Sequence, residues 1–202
     1  MALLSFFFSY ILGSFNFAIF ISKKFYNKNI KQLGSKNAGM TNVLRNFGFI
    51  PAVITFLGDV LKGFISLLVC YILCFKLLNS DVLMYVQYMA CISALLGHIF
   101  PIFYKFKGGK GYACYTGMLL AINYKLALIM MAYGAITTLV TNYIALATIS
   151  TSYIVLIYYI YIKAPIGVII ILLILAIVIT YKHLINIRRI IRKEEIGLRK
   201  KK

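Results

Sequence analysis

Apolar residues in this chain occur in long continuous runs, separated by short polar stretches. The runs cover roughly residues 1–22, 47–75, 84–103, 112–140, 143–162 and 165–181. A helix that spans a membrane needs about 20 predominantly apolar residues. Because Asn123-Tyr124-Lys125 interrupts the run 112–140, we divide that run into two short spans. The pattern therefore predicts an all-α polytopic membrane protein with about seven transmembrane helices.

Composition supports the same class. Hydrophobic residues make up 62% of the chain and charged residues only 13%, whereas a soluble domain is about half apolar and a quarter charged. The net charge of +18 is compatible with a nucleic-acid partner, but cationic loops beside anionic lipid headgroups explain it in a membrane protein. We therefore expect membrane lipids around this chain and no nucleic acid.

Basic residues fall almost entirely on one side of this arrangement. Loop 23–46 carries six Lys and Arg, loop 104–111 three and the tail from Lys182 nine, against only Lys76, Lys125 and Lys163 in the opposite loops. Because basic loops stay in the cytoplasm, this predicts an outside N-terminus and a cytoplasmic C-terminus. Run 1–22 then reads as a retained span rather than a cleaved signal peptide.

We expect residues 1–202 to form one integral membrane domain with a basic cytoplasmic tail from about residue 182. In that tail Glu195 and Arg199 are spaced i,i+4, which suits a helix lying on an anionic surface. The lysines 200–202 then need no role beyond that surface.

One basic residue, Lys62, lies inside an apolar run, three residues after Asp59. Positions i and i+3 share a helix face, and charges within a membrane span usually mark function. Two interpretations stay open, a self-neutralising structural pair and a pair that points into a polar cavity.

Metal and disulfide chemistry is not indicated. The cysteines form no C-x-x-C pair, and the chain has two histidines 85 positions apart and four acidic residues in all. We predict that the cysteines are small buried hydrophobic residues and that the protein has no metal site.

The first unusual polar cluster is GSKNAGMTN at 34–42, followed by Arg45. Small residues expose backbone amides to a ligand, and short polar side chains with a guanidinium group suit an anion site before a helix N-terminus. An ordinary helix cap and turn uses the same residue types. The cluster alone does not decide between these readings.

Two further clusters fall on the same predicted side. The stretch KFKGGKG at 105–111 combines lysines with bare glycines, without the Walker A pattern; His98, just before it, is typical of an interfacial residue. The stretch KHLINIRR at 182–189 places Lys182, Asn186 and Arg189 on one helix face. Together the three clusters predict a shallow basic pocket for phosphate groups at the membrane surface.

These clusters carry a resemblance. GS-x-N-x-G-x-T-N-x-x-R at 34–45, D-x-x-K-G at 59–63, GH-x-F-P-x-F-x-x-F-K-G-G-K-G at 97–111 and KH-x-x-N-I-x-R at 182–189 resemble the PlsY family. These are the acyl-phosphate-dependent glycerol-3-phosphate acyltransferases of bacterial inner membranes. The resemblance implies a seven-helix enzyme with a cytoplasmic-side active site, which acylates the 1-hydroxyl of glycerol 3-phosphate and releases lysophosphatidic acid and phosphate.

The resemblance also implies the site residues. The catalytic group would be His183, Asn186, Arg45 and Lys107. Substrate and phosphate would contact Ser35, Asn37, Gly39, Thr41, Asn42, Gly108, Gly109 and Lys110, with Glu195 near the edge. Acyl phosphate is an activated mixed anhydride, so we expect no cofactor, metal or covalent nucleophile. The oligomeric state stays undetermined.

The chain departs from the family pattern at several positions. Lys36 and Lys193 stand where the family has glycine, and Asn29-Ile30-Lys31 replaces Asp-Ile-Arg. A family segment Arg-Tyr-x-Ser-Leu-x-Ser corresponds to residues 142–148, where Asn142, Ala145 and Thr148 replace the arginine and two serines. If a family serine of this segment helps to hold the substrate, this chain lacks one contact and has weaker activity, unless Thr148 compensates.

Two non-enzymatic functions and one other acyl donor are alternatives to this reading. A small anion transporter or channel would place Asp59 and Lys62 in its pathway, but the polar clusters lie on one side. A lipid-binding scaffold would need the basic loops but not the glycines. An acyl-CoA-dependent enzyme would show H-x₄-D, yet Phe103 and Arg188 stand five residues after the two histidines.

Overall fold

The computed structural model describes residues 1–199. All regular secondary structure in this range is helical. This part contains nine α-helices, two 3₁₀ turns at Ile30–Gln32 and Ile102–Tyr104, and no β-strand. The helices are α1 (Ala2–Ser14), α2 (Phe17–Tyr26), α3 (Met40–Phe47), α4 (Phe49–Cys74), α5 (Ser80–Ile99), α6 (Tyr112–Ile122), α7 (Tyr124–Thr141), α8 (Ile144–Tyr161) and α9 (Ile166–Ile191). The lysines 200–202, to which the sequence assigned only a surface role, lie outside the described residues.

The predicted membrane class agrees with this structure. Six helical stretches of the described chain are long and apolar enough to cross a membrane. They are Ala2–Tyr26, Phe49–Cys74, Ser80–Tyr104, Tyr124–Thr141, Ile144–Tyr161 and Ile166–Ile191. The predicted division of run 112–140 is confirmed, because Asn123 separates α6 from α7 and its Oδ1 accepts a hydrogen bond from Leu126 N at 3.0 Å. Helix α6 is apolar but short, so a seventh span stays a prediction.

Contacts divide the chain into two compact units, Met1–Ile122 and Asn123–Lys202. The single domain expected from the sequence stays a prediction. In the first unit α1 packs against α4 and α5, and α4 packs against α6. Gly13 and Gly97 bring α1 and α5 together, since each glycine Cα lies directly against backbone of the other helix, as in many membrane helix pairs. In the second unit α8 packs against α7 and α9.

The intramembrane charges form a buried structural contact. Lys62 Nζ lies 2.8 Å from Asp59 Oδ1, and each side chain is 2% exposed. The same ammonium donates to the Phe15 carbonyl at 2.9 Å. That carbonyl lies at the break between α1 and α2, where Ile19 N donates to Asn16 Oδ1 instead of to the chain four residues back. Lys62 therefore takes the place of the missing helical donor, which favours the structural interpretation of the pair.

The tail does not continue as the predicted helix. Helix α9 ends at Ile191, and residues 194–199 are irregular. Lys193 has φ +60°, the left-handed conformation that commonly ends helices. Glu195 and Arg199 accordingly make separate hydrogen bonds, to Asn186 and to the Leu139 carbonyl. The prediction of an i,i+4 pair on a tail helix was wrong, because the backbone turns at Lys193 before either residue.

Candidate functional site

The first polar cluster folds around the side chain of Asn42, which is 1% exposed. Its Nδ2 donates to the carbonyls of Ile30, Leu33 and Asn37 at 3.0–3.1 Å. Its Oδ1 accepts from Ser35 N at 3.1 Å. The amide is thus used within the loop, and the contribution of Asn42 to a site is to fix the loop that carries the other predicted residues.

The remaining residues of this cluster lie where the loop becomes helix α3. Gly39 is the N-terminal cap of α3 and has extended backbone, and Thr41 is in the first turn. The expected helix N-terminus after Gly39 is therefore present. Ser35 and Asn37 are half-buried in the preceding loop, and Arg45 is exposed in the last turn of the helix. Short polar groups, backbone amides and a guanidinium group are all within one loop and one helix, which is the donor set that anion sites use.

The second cluster folds back onto the end of α5. Gly108 N donates to the Ile99 carbonyl and Gly109 N to the His98 carbonyl, both at 3.1 Å. The glycine N–H groups therefore satisfy the carbonyls that the helix end leaves open. The neighbouring Lys107 is exposed and Lys110 is half-buried. In this structure the glycines shape the loop and the lysines supply its charge.

The two loops lie against each other within the first unit. Lys31 Nζ donates to the Tyr104 carbonyl at 3.2 Å and lies 5.7 Å from the centre of the Tyr104 ring. A Cβ added at Gly109 would lie 2.8 Å from the Ala38 carbonyl oxygen, so the glycine loop packs directly on the first loop. The structure thus brings together two of the three clusters that the sequence grouped.

Positive charges repel one another around these loops. The pKa of Lys31 is lowered by burial, and further by the charges of Lys23 and Lys107. A lowered lysine pKa means that the charged form is disfavoured in the folded protein. A phosphate anion bound among these lysines would relieve that repulsion, and the arrangement is accordingly suited to a phosphate-bearing ligand.

Sequence reasoning missed the residue that connects the buried ion pair to the glycine loop. His98 is 3% exposed, and its Nδ1 lies 3.5 Å from Asp59 Oδ1. On its other edge, Nε2 lies where a Cβ on Gly109 would be. His98 is therefore a buried support of the loop rather than an interfacial residue. The sequence contains both motifs, D-x-x-K at 59–62 and GH at 97–98. Their spacing along the chain does not indicate that they are in contact.

The third cluster lies in the second unit, on one face of α9. His183 is 3% exposed and its Nδ1 lies 2.8 Å from the Ile179 carbonyl. A carbonyl only accepts, so Nδ1 carries the proton and the neutral ring has its lone pair on Nε2. Asn186, three residues on, donates from Nδ2 to Glu195 Oε1 at 2.7 Å. The predicted neighbourhood of His183, Asn186 and Glu195 is present; its meeting with the other two clusters stays a prediction.

The substituted segment 142–148 contributes differently from what its sequence suggests. Thr148 is 1% exposed, and its hydroxyl donates to the Ile144 carbonyl of its own helix at 2.9 Å. Ala145 is buried nearby on α8. Asn142 begins this segment in the left-handed conformation, at φ +67°. Asn142 is also the replacement that hydrogen-bonds to residues distant in sequence, Leu198 and Arg199.

The described residues contain no group of three or more His, Cys, Asp and Glu side chains close enough to hold a metal ion. As predicted, the cysteines found there are buried; they are Cys70, Cys74, Cys91 and Cys114.

Comparisons with known proteins agree with these motifs. Residues 3–193 match the family described as glycerol-3-phosphate acyltransferase. Relatives of that name from Francisella tularensis subsp. tularensis (strain FSC 198) and Pelagibacter ubique are 36% and 37% identical, each over 93% of this chain and over 88% and 92% of their own. The crystal structure of PlsY, an integral membrane glycerol 3-phosphate acyltransferase, in its glycerol 3-phosphate form superposes with a TM-score of 0.88 and 30% identity, over 97% of this chain and 94% of that chain. The lysophosphatidic acid form of PlsY gives 0.85. This chain belongs to the glycerol-3-phosphate acyltransferase family.

Proposed function

We propose that this protein transfers an acyl group from acyl phosphate to the 1-hydroxyl of glycerol 3-phosphate, giving lysophosphatidic acid and inorganic phosphate for phospholipid synthesis. The observation that carries the proposal is the packing of the first polar loop, 34–42, against the glycine loop, 105–111. Lys31, Arg45 and Lys107 supply positive charge around these loops. The relatives' name and the two ligand forms of PlsY supply the substrate class.

In the proposed reaction the hydroxyl oxygen of glycerol 3-phosphate attacks the acyl carbonyl carbon. The new ester bond forms as the bond from that carbon to the phosphate oxygen breaks, and phosphate leaves with the electron pair. Arg45 offers a planar fork for one phosphate, and Lys107 and Lys110 offer charge to the other. Most of the rate enhancement then comes from positioning two anions and stabilising developing charge.

We assign His183 and Asn186 to the acceptor side of the reaction. Because Nδ1 of His183 donates to Ile179, Nε2 of the neutral ring is an acceptor for the attacking hydroxyl. The departing phosphate is basic enough to take the proton, so His183 need only orient the hydroxyl. Ser35, Asn37, Gly39 and Thr41 would add donors to the phosphate oxygens, and Asn42, Gly108 and Gly109 would hold the loops.

The proposed topology has seven crossing helices, with α6 as the short one. The excess of basic residues in loops 23–46 and 104–111 and in the tail supports a cytoplasmic site, an outside N-terminus and a bacterial inner membrane. Acyl phosphate and glycerol 3-phosphate would then both arrive from the cytoplasmic side, where we propose that these loops lie.

The contacts of the intramembrane charges argue against the transporter alternative. It required Asp59 and Lys62 to line a pathway, but Lys62 contacts both Asp59 and the Phe15 carbonyl, and His98 lies beside the carboxylate. Both charges are therefore engaged in buried contacts. No observation in the described residues favours anion flux over acyl transfer.

The test uses the purified full-length protein in lipid nanodiscs with palmitoyl phosphate and glycerol 3-phosphate, and mass spectrometry of lysophosphatidic acid. We expect product from acyl phosphate and essentially none from palmitoyl-CoA on the same sample, because the chain has no H-x₄-D motif to assist a thioester donor. Equal rates with the two donors would overturn the proposed donor. Phosphate flux into proteoliposomes without acyl transfer would overturn the whole proposal in favour of the transporter.

A further inference from the structure

Residues 198–199, in the tail of the second unit, contact Asn142 at the end of α7. The Asn142 carbonyl accepts from Leu198 N at 3.0 Å, and its Oδ1 accepts from Arg199 N at 2.8 Å. Its Nδ2 donates to the Arg199 carbonyl at 3.3 Å. The Arg199 guanidinium in turn donates to the Leu139 carbonyl at 2.7 Å. We call this set of contacts between Asn142, Leu139 and residues 198–199 the tail latch.

The segment that the latch holds carries Glu195. Its Oε1 accepts from Asn186 Nδ2 at 2.7 Å, and its Oε2 is buried with no hydrogen-bond partner among the described residues. At one end the segment is attached to α9, where Glu194 N and Glu195 N donate to the Arg189 carbonyl. The other end of this irregular segment, at residues 198–199, is attached to the end of α7. The latch is that other attachment.

We propose that Asn142 is a positioning residue, which acts through the tail and Glu195 to fix the amide of Asn186. This inference rests on the proposed function, in which Asn186 belongs to the catalytic group. It adds a residue outside the proposed catalytic and binding residues, and the family pattern does not suggest it, since the PlsY-like segment has arginine at this position.

The chemistry of asparagine explains why the latch forms in this chain. Residue 142 is the C-terminal cap of α7 at φ +67°, a conformation that asparagine adopts more readily than other non-glycine residues. Its amide has a donor and an acceptor, so it pairs with the N–H and the carbonyl of Arg199 as a peptide group would. An arginine side chain has no acceptor and cannot take the Arg199 N–H.

The variant Asn142→Gly isolates the side chain, because glycine keeps the left-handed backbone and the carbonyl contact to Leu198. Loss of the two side-chain hydrogen bonds should lower turnover about three- to tenfold. Asn142→Asp retains the acceptor for Arg199 N but loses the donor to the Arg199 carbonyl, so it should lower turnover less than Asn142→Gly does. The matched control is Asn123→Gly, which removes the side-chain cap at the other end of α7 and should leave turnover per folded molecule unchanged.

A double-mutant cycle separates positioning from general stability. If Asn142 acts through Asn186, then Asn142→Gly should have no further effect on turnover in an Asn186→Ala background. Multiplicative losses in the double variant, or normal turnover in Asn142→Gly alone, would overturn the proposal. Tryptic cleavage after Arg192 or Lys193 gives a readout without activity, and it should be faster in Asn142→Gly than in the parent.

The two proposals fail separately. A parent protein without acyl transfer would refute the proposed function, and the rate of tryptic cleavage would still decide whether Asn142 holds the tail. An active parent with unchanged cleavage in Asn142→Gly would refute the latch alone.

Discussion

The glycine loop is closely packed at Gly109, and the variant Gly109→Ala tests this packing. The glycine is buried between the His98 ring and the first loop. An added Cβ would touch His98 Nε2 and lie 2.8 Å from the Ala38 carbonyl oxygen. That carbonyl also accepts from Asn16 Nδ2 at 3.2 Å, so it cannot yield without losing a buried hydrogen bond. Overpacking of this kind costs about 1–3 kcal/mol of stability, and we expect a loss in that range.

The loss of activity should exceed the loss of stability. The loop that must move carries Lys107 and Lys110, and a displacement of about 1 Å at a positioned group can lower a rate roughly 100-fold. We expect turnover per folded molecule to fall at least about tenfold, measured as lysophosphatidic acid formed in nanodiscs, with thermal melting on the same samples. Adding His98→Ala to Gly109→Ala removes one of the two obstacles and should recover part of the turnover.

The matched control is Gly48→Ala. Gly48 has φ +91°, and a Cβ there would meet no heavy atom within 4 Å. This variant therefore strains the backbone without a steric contact, and it should melt earlier while it keeps its turnover per folded molecule. Parent-like melting and turnover of Gly109→Ala would refute the packing argument. A raised KM for glycerol 3-phosphate with no recovery from His98→Ala would mean instead that the Gly109 backbone contacts the substrate phosphate.

Three further substitutions test the charges and the backbone. Arg45→Lys loses the bidentate fork and should raise the KM for glycerol 3-phosphate about tenfold or more, whereas Arg188→Lys, at an exposed position, should leave the KM unchanged. Equal effects at the two positions would mean that the charge of Arg45 serves only to orient the chain in the membrane. Asp59→Ala leaves the Lys62 ammonium without its carboxylate, so the free energy of unfolding should fall by about 3–5 kcal/mol. Adding Lys62→Met to this variant should restore part of the melting temperature, and no recovery would refute a structural role of the ion pair. Lys36 has φ +58°, so Lys36→Gly should stabilise the protein by about 0.5–1 kcal/mol; a lower melting temperature would contradict the strain.

The helices were predictable because length and apolarity alone determine them. A backbone in lipid must satisfy its own hydrogen bonds, so each long apolar run becomes a helix. The break at Asn123 was also predictable, since a polar residue that caps a helix interrupts the apolar run. The break at Phe15 was missed, although Asn16 caps α2 there as Asn123 caps α7, because we treated the run 1–22 as continuous. What the sequence does not show is that the Phe15 carbonyl at this break accepts from the Lys62 ammonium on another helix.

The structure shows roles within the candidate site that the sequence did not predict. Local motifs predicted that both loops and the His183–Asn186 face belong to a site, and that membership stays a prediction. They did not reveal that the Asn42 side chain holds the loop together by hydrogen bonds. Its partners at Ile30 and Leu33 are backbone carbonyls, which any sequence supplies. They also did not join His98 to Asp59, since these residues are 39 positions apart and meet only through helix packing.

The departures from the family pattern become interpretable once the backbone is known. Lys36 has φ +58° and Lys193 has φ +60°, and the family pattern has glycine at both positions. Glycine is favoured in this region because it has no Cβ, so the family residue meets a backbone requirement there. A lysine adopts the same conformation with some strain, and the turn it makes is retained. These two replacements therefore change the stability of the loop and tail, while the side chains proposed to bind phosphate remain those of the family.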